Sequence, residues 1–294
     1  MKRIVQGIVA LVVLAYAGAT AYLKVNETGL VFHPDERTVA EPGAKFALHQ
    51  QPVRYTSTDG TTLSAWIVPA APADSSGMWM VICHGNYGNI GYGQRPEYMA
   101  YMRDLGINLF AFDYRGFGAS EGAPNEVGVY EDAVASYRYL TDSLHVPPAH
   151  IVIFGHSLGS GVAIELATRV PAAALIVEGA YTSVINRGQE LYPYLPVKLV
   201  ATQRFASIDK IGRVTIPKLF LHSPTDDVIP IAHGRALFAA AQEPKRFVEV
   251  KGGHMDAYAI DKPTYYGAIA DIVRSVTPAP TIAAPIATAA HSPR

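Results

Sequence analysis

The chain reads as an α/β protein, a mostly parallel sheet with helices on both faces. Three observations lead there. Short runs that are apolar throughout, or but for a first residue, recur along the chain, at Met78-Trp79-Met80-Val81-Ile82-Cys83, Asn108-Leu109-Phe110-Ala111-Phe112, Ile151-Val152-Ile153-Phe154 and Ala174-Leu175-Ile176-Val177. Strands covered on both faces have this character. Segments with helical spacing alternate with them, as βαβ units require. Hydrophobic residues make up 49% of 294 positions, enough for a large buried sheet.

The elements follow in order. Lys2 and Arg3 precede an uncharged stretch from Ile4 to Leu23. Twenty helical residues span about 30 Å, the thickness of a bilayer's hydrocarbon core. Residues 1–23 therefore read as a transmembrane anchor with its basic end inside, which puts the rest outside the cytoplasm. The competing reading is a signal peptide cleaved at Ala15-Tyr16-Ala17 or Ala19-Thr20-Ala21, giving a secreted protein. Residues 24–50 read as a juxtamembrane segment, and 51–276 as one domain. Val53-Arg54-Tyr55-Thr56-Ser57 and Leu63-Ser64-Ala65-Trp66-Ile67-Val68 flank Thr58-Asp59-Gly60-Thr61, so they should form an antiparallel hairpin. Residues 127–140 have helical spacing, with Asp132 and Arg138 on the polar side. Residues 181–214 form a short insert between two strands, with Tyr192-Pro193-Tyr194-Leu195-Pro196 at its centre. Those aromatics either line a groove or pack on the core. Strands follow at Pro217-Lys218-Leu219-Phe220-Leu221-His222 and Arg246-Phe247-Val248-Glu249-Val250. Residues 277–294 are rich in Pro and Ala and read as a flexible tail.

The chemistry centres on Gly155-His156-Ser157-Leu158-Gly159. This Gly-x-Ser-x-Gly pattern lies between a strand and a helix, where a sharp turn lifts the serine hydroxyl above the sheet. A serine needs a base, and the base needs an orienting acid. Asp226 lies in the turn-rich loop after the strand ending at His222, beyond a strand's carboxyl end, where open α/β sheets place their sites. His254 follows Lys251-Gly252-Gly253. Asp227 and Glu178 are the rival acids, and Asp113 comes too early in the chain. His84, His156 and His222 suit hydrogen bonding, and the other histidines sit in no motif. An oxyanion needs two backbone N–H groups. Leu158 supplies one, and the loop His84-Gly85-Asn86-Tyr87-Gly88-Asn89 supplies the other, from Asn86 or else Tyr87.

These residues carry a resemblance. The chain resembles the serine α/β-hydrolases, in particular a membrane-anchored branch that includes lysophospholipid lipases and protein depalmitoylases. Four segments bear it: the 84–89 loop, Phe112-Asp113-Tyr114-Arg115-Gly116-Phe117-Gly118-Ala119-Ser120-Glu121-Gly122, the serine turn, and Asp226 with His254. Leu30-Val31-Phe32-His33-Pro34 resembles that branch as well. The resemblance implies an eight-stranded sheet, with Ser157 as nucleophile, Asp226 as acid and His254 as base. Tyr87 stands where relatives often carry alanine.

Composition narrows the partners. Lys and Arg number 24 against 25 Asp and Glu, which gives no basic footprint for nucleic acid. The lone Cys83 reads as packing. No residues have metal-ligand spacing and no nucleotide fingerprint is complete, so no cofactor is expected. The expected activity is hydrolysis of an ester or thioester, with a membrane-presented acyl substrate such as a lysophospholipid. A serine aminopeptidase is the alternative, with Glu178 or Glu121 holding the free amine. A non-catalytic binding protein on the same fold is the alternative from another class.

Overall fold

The computed structural model describes residues 1–35, 46–71 and 77–278. Ten strands and ten α-helices are present among them. Eight strands form one sheet: β2 (Gln51–Thr56), β3 (Thr62–Val68), β4 (Trp79–Cys83), β6 (Asn108–Phe112), β7 (Ile151–His156), β8 (Ala174–Glu178), β9 (Lys218–His222) and β10 (Lys245–Glu249). Their spatial order is β10-β9-β8-β7-β4-β6-β3-β2. β3 alone runs opposite to the other seven strands. It pairs antiparallel with β2 and β6, and every other pairing in the sheet is parallel. The expected hairpin is therefore present, with Gly60 at a φ of 87° in its turn.

Alternate residues of the central strands feed two cores. Val81, Ile153 and Leu175 face one layer, where they meet α4 (Glu126–Arg138) and α5 (Leu158–Arg169). Met80, Val152 and Ile176 face the other, against α3 (Arg95–Asp104) and α10 (Lys262–Val276). The period of two explains why these strands are apolar throughout. Asn125 caps α4 by accepting the Gly128 amide at 2.9 Å. Cys83 is fully buried in the first core, and burial pushes its thiol up, so it stays protonated.

Asp132 corrects the reading of α4. It does not sit on a solvent face. It is fully buried, and Arg115 pairs with it through Nη2 at 2.7 Å and Nε at 3.1 Å. Arg115 also reaches Asp59 at 2.8 Å. The Arg-Gly-Phe-Gly turn after β6 is thus clamped to both the hairpin and α4.

The N-terminal part is α1 (Lys2–Val25), none of whose residues is buried. It is long and apolar enough to cross a membrane, a test that a signal sequence also passes. The segment after it is more than a tether. Helix α2 (Glu27–Val31) leads to Phe32, which is 2% exposed among Phe117 and Phe205. Then β1 (His33–Pro34) pairs in parallel with β5 (Tyr87–Gly88). Leu48 is also fully buried. The reason is hydrophobic: Phe32 and Leu48 gain more from the core than a solvated linker offers. The insert 181–214 forms α6 (Val184–Leu191), α7 (Val197–Val200) and two 3₁₀ turns. Helices α8 (Ile231–Ala240) and α9 (Ala257–Ile260) complete the body. The tail from residue 279 onward lies outside the described residues.

Candidate active site

Ser157 sits between β7 and α5 with a φ of 53°, a region costly for a residue with a Cβ. Its neighbours must be small. A Cβ on Gly155 would lie 2.3 Å from the Gly159 carbonyl oxygen, and one on Gly159 would lie 2.0 Å from that of Cys83. The Ser157 amide donates to the Glu178 carbonyl at 2.9 Å, tying the turn to β8.

Three predicted residues meet here. Ser157 Oγ is 2.8 Å from His254 Nε2, and His254 Nδ1 is 2.7 Å from Asp226 Oδ2. The other carboxylate oxygen of Asp226 accepts the amides of Val228 at 2.9 Å and Ile229 at 2.7 Å. Burial alone would raise the Asp226 carboxyl. The His254 ring and those two amides outweigh it and hold the group below its ordinary value. The acid loop and the histidine loop are also joined, since Thr225 Oγ1 donates to the Gly252 carbonyl at 2.7 Å and Ser223 Oγ does the same. Gly179, at a φ of 53°, leaves room for the imidazole: a Cβ there would lie 2.9 Å from His254 Cε1.

The rival residues are placed elsewhere. Glu178 is buried behind the site and accepts the Tyr265 hydroxyl at 2.7 Å. Asp227 lies on the cavity wall. Asp113 accepts the Ile90 amide at 2.7 Å and needs Gly118, whose Cβ would lie 2.1 Å from it. His156 donates from Nε2 to the His254 carbonyl at 3.1 Å, and burial with the nearby His254 lowers its pKa to about 3, so the ring is neutral. His222 donates from Nε2 to the Ile229 carbonyl at 2.9 Å. These rings act as structural hydrogen bonders.

The loop between β4 and α3 has an unexpected brace. Arg95 is buried, and its guanidinium donates to the carbonyls of Gly85 at 3.2 Å and Tyr87 at 2.6 Å, and to that of Asn89. His84 Nδ1 also donates to the Gly85 carbonyl, at 2.7 Å. In a planar trans peptide the N–H points opposite to the carbonyl. Pinning the Gly85 oxygen on one side therefore turns the Asn86 N–H to the other. Asn86 and Leu158 both line the cavity over Ser157, whereas Tyr87 is half exposed against Tyr92. Sequence reasoning passed over Arg95. A signal was there: a cation at the first residue of a helix opposes the helix dipole and needs another reason to be present.

The cavity measures about 430 Å³, within the range of small-ligand sites. Ser157 lies in its wall, together with Leu30 and Val31 of α2, Tyr181, and Val184 and Leu191 of α6. Of the insert's aromatics, Tyr192 lines the cavity, but Tyr194 is 89% exposed and neither lines it nor packs. Glu178 and Glu121, the residues considered for holding a free amine, do not line the cavity; Glu121 instead faces Arg54 at 3.4 Å.

The chain is similar to known proteins in sequence and in fold. A family model described as serine aminopeptidase, S33, matches residues 76–208. An uncharacterised Mycobacterium tuberculosis protein is 34% identical over 255 residues, covering 86% of this chain and 89% of that one. The α/β-hydrolase domain-containing protein WAV2 of Arabidopsis thaliana is 32% identical over 243 residues, covering 76% and 78%. The chain belongs to the α/β-hydrolase superfamily. The fold agrees: the Pyrococcus furiosus esterase Pf2001 superposes with a TM-score of 0.70 at 14% identity, over 84% of this chain and 98% of that one. Within an α/β-hydrolase, the loop after β4, the serine turn after β7 and the acid and histidine loops after β9 and β10 all lie at the carboxyl edge of the sheet. That shared edge is why residues 97 positions apart, Ser157 and His254, can touch.

Proposed function

We propose that the protein is a serine hydrolase of carboxylic esters or thioesters, acting on membrane-presented acyl substrates such as lysophospholipids. The observation that carries this reading is the hydrogen-bonded line Ser157–His254–Asp226 at the wall of a largely apolar cavity. His254 Nε2 takes the Ser157 proton as Oγ bonds to the acyl carbon. The carbonyl electrons move to oxygen, which the Asn86 and Leu158 amides hold; each donor of this kind supplies about 3 kcal/mol. As the tetrahedral species collapses, the bond to the leaving alcohol or thiol breaks, and His254 returns the proton to that group. Water then adds to the acyl-enzyme with His254 as base, and Ser157 regains its proton as the acid leaves. Asp226 orients the ring and offsets its charge. A fluorophosphonate probe should label the protein, and Ser157→Ala should abolish labelling. Purified enzyme should prefer long over short acyl esters, and a preference for acetyl would count against the lipid assignment.

The serine aminopeptidase reading draws on the family model of that description and on Asp227, which lines the cavity and could meet a free amine. Comparing an aminoacyl amide with a fatty-acyl ester separates the two.

A further inference from the structure

The cavity is built from two parts of the chain that are far apart in sequence. Leu23 at the end of α1, with Leu30 and Val31 of α2, forms one side. Leu191, Val197 and Val200 of the insert form the other.

Specific bonds hold these sides together. The Glu27 carboxylate accepts the Thr202 hydroxyl at 2.7 Å, the Gln203 amide at 2.6 Å and the Thr202 amide at 2.5 Å. Its side chain is only 12% exposed, and Lys24 stands 3.6 Å away. A carboxylate taking three donors from one short segment is a latch, since charge-assisted bonds are the stronger kind. The same N-terminal segment is stitched to the loop of Asn86. Asn86 Nδ2 donates to the Val31 carbonyl at 3.0 Å, and the His33 amide donates to the Asn86 carbonyl at 2.8 Å.

The insert also carries apolar side chains that the protein leaves uncovered. Leu191 is 57% exposed, Tyr194 89% and Leu199 86%. Single exposed apolar residues are ordinary. These three share one short insert, and its helix α7 packs against α1, the helix long and apolar enough to span a bilayer. Where a spanning helix leaves the membrane, leucine and tyrosine side chains find the headgroup boundary, where an apolar body and a polar tip both fit.

We propose that α1 and α2 are a working wall of the acyl-binding cavity, latched to the insert by Glu27, so that the acyl chain of a bilayer-resident ester enters beside Leu23 and reaches Ser157 along an apolar path. This rests on the acyl-hydrolase reading. It adds that the anchor helps select the acyl chain as well as tethering the enzyme, and that the occupant of the exposed apolar rim is the lipid surface.

The test uses the full chain in phosphatidylcholine vesicles, with p-nitrophenyl acetate, dodecanoate and hexadecanoate as substrates. Leu30→Trp fills the cavity and should lower the dodecanoate-to-acetate ratio tenfold or more. Glu27→Ala releases the latch and should lower it at least threefold. Leu30→Ala, which removes bulk and avoids any folding penalty from the larger ring, should shift preference from the dodecanoyl toward the hexadecanoyl ester. Unchanged ratios in all three variants, or equal losses on both esters, overturn the proposal while leaving the hydrolase reading intact. No turnover of either ester by the unsubstituted protein overturns the hydrolase reading, and this proposal with it.

Discussion

The guanidinium of Arg95 holds the Gly85 carbonyl oxygen at 3.2 Å, on the side of the peptide opposite to the Asn86 N–H. A buried cation is here spent on loop carbonyls, and in the proposed reaction it positions the Asn86 amide that holds the oxyanion. Arg95→Met should lower kcat ten- to a hundredfold while changing KM less than about threefold, because an oxyanion donor acts mainly in the transition state. Arg95→Lys should restore part of kcat. Steady-state kinetics on a soluble ester check this, and a change confined to KM would refute it.

Ser157→Ala and His254→Ala should each lower turnover by about three orders of magnitude or more, since the groups act as a unit. Asp226→Asn should fall by a similar or somewhat smaller factor, as the ring loses its orienting charge. Circular dichroism should show all three folded. Full ester turnover by either of the first two variants would remove the proposed chemistry.

Arg115→Met should destabilise the fold by about 3–5 kcal/mol, because it leaves the fully buried Asp132 carboxyl without its guanidinium partner. Adding Asp132→Asn should recover part of the loss, since the two effects share one cause. Denaturant titration followed by tryptophan fluorescence measures both.

Glu178 sets a pH dependence of stability. Burial pushes its carboxyl up to about 7, against the Tyr265 hydrogen bond and the attraction of His254. A carboxyl with a raised folded pKa binds more protons folded than unfolded. Stability therefore falls as pH rises from the unfolded value near 4.5 through about 7. Glu178→Gln keeps an acceptor for Tyr265 without the charge. It should leave stability at pH 4 nearly unchanged and raise it at pH 8 by up to about 3 kcal/mol, at roughly 1.4 kcal/mol per pKa unit. Unfolding curves at those two values decide it, and a loss of stability at pH 8 would contradict it.

Much of this protein was legible in the residues. Apolar runs separated by helical spacing gave the parallel sheet, because a strand covered on both faces cannot alternate polar and apolar. The Asp59-Gly60 pair gave the β2–β3 hairpin, and the glycines around Ser157 marked a turn too crowded for a Cβ. These are local constraints, and a local pattern records them. Other features depend on what folding brings together. Asp226, Asp227 and Glu178 are three carboxylates at strand ends, and only the closing of the 223–226 loop on the 252–254 loop brings Asp226 to the His254 ring. Asp132 looked like a surface residue because helical period says which side a residue takes but not what covers that side. Arg95 and Glu27 carry no motif, since each works by gathering backbone groups distant in sequence, and backbone groups leave no mark in the order of side chains.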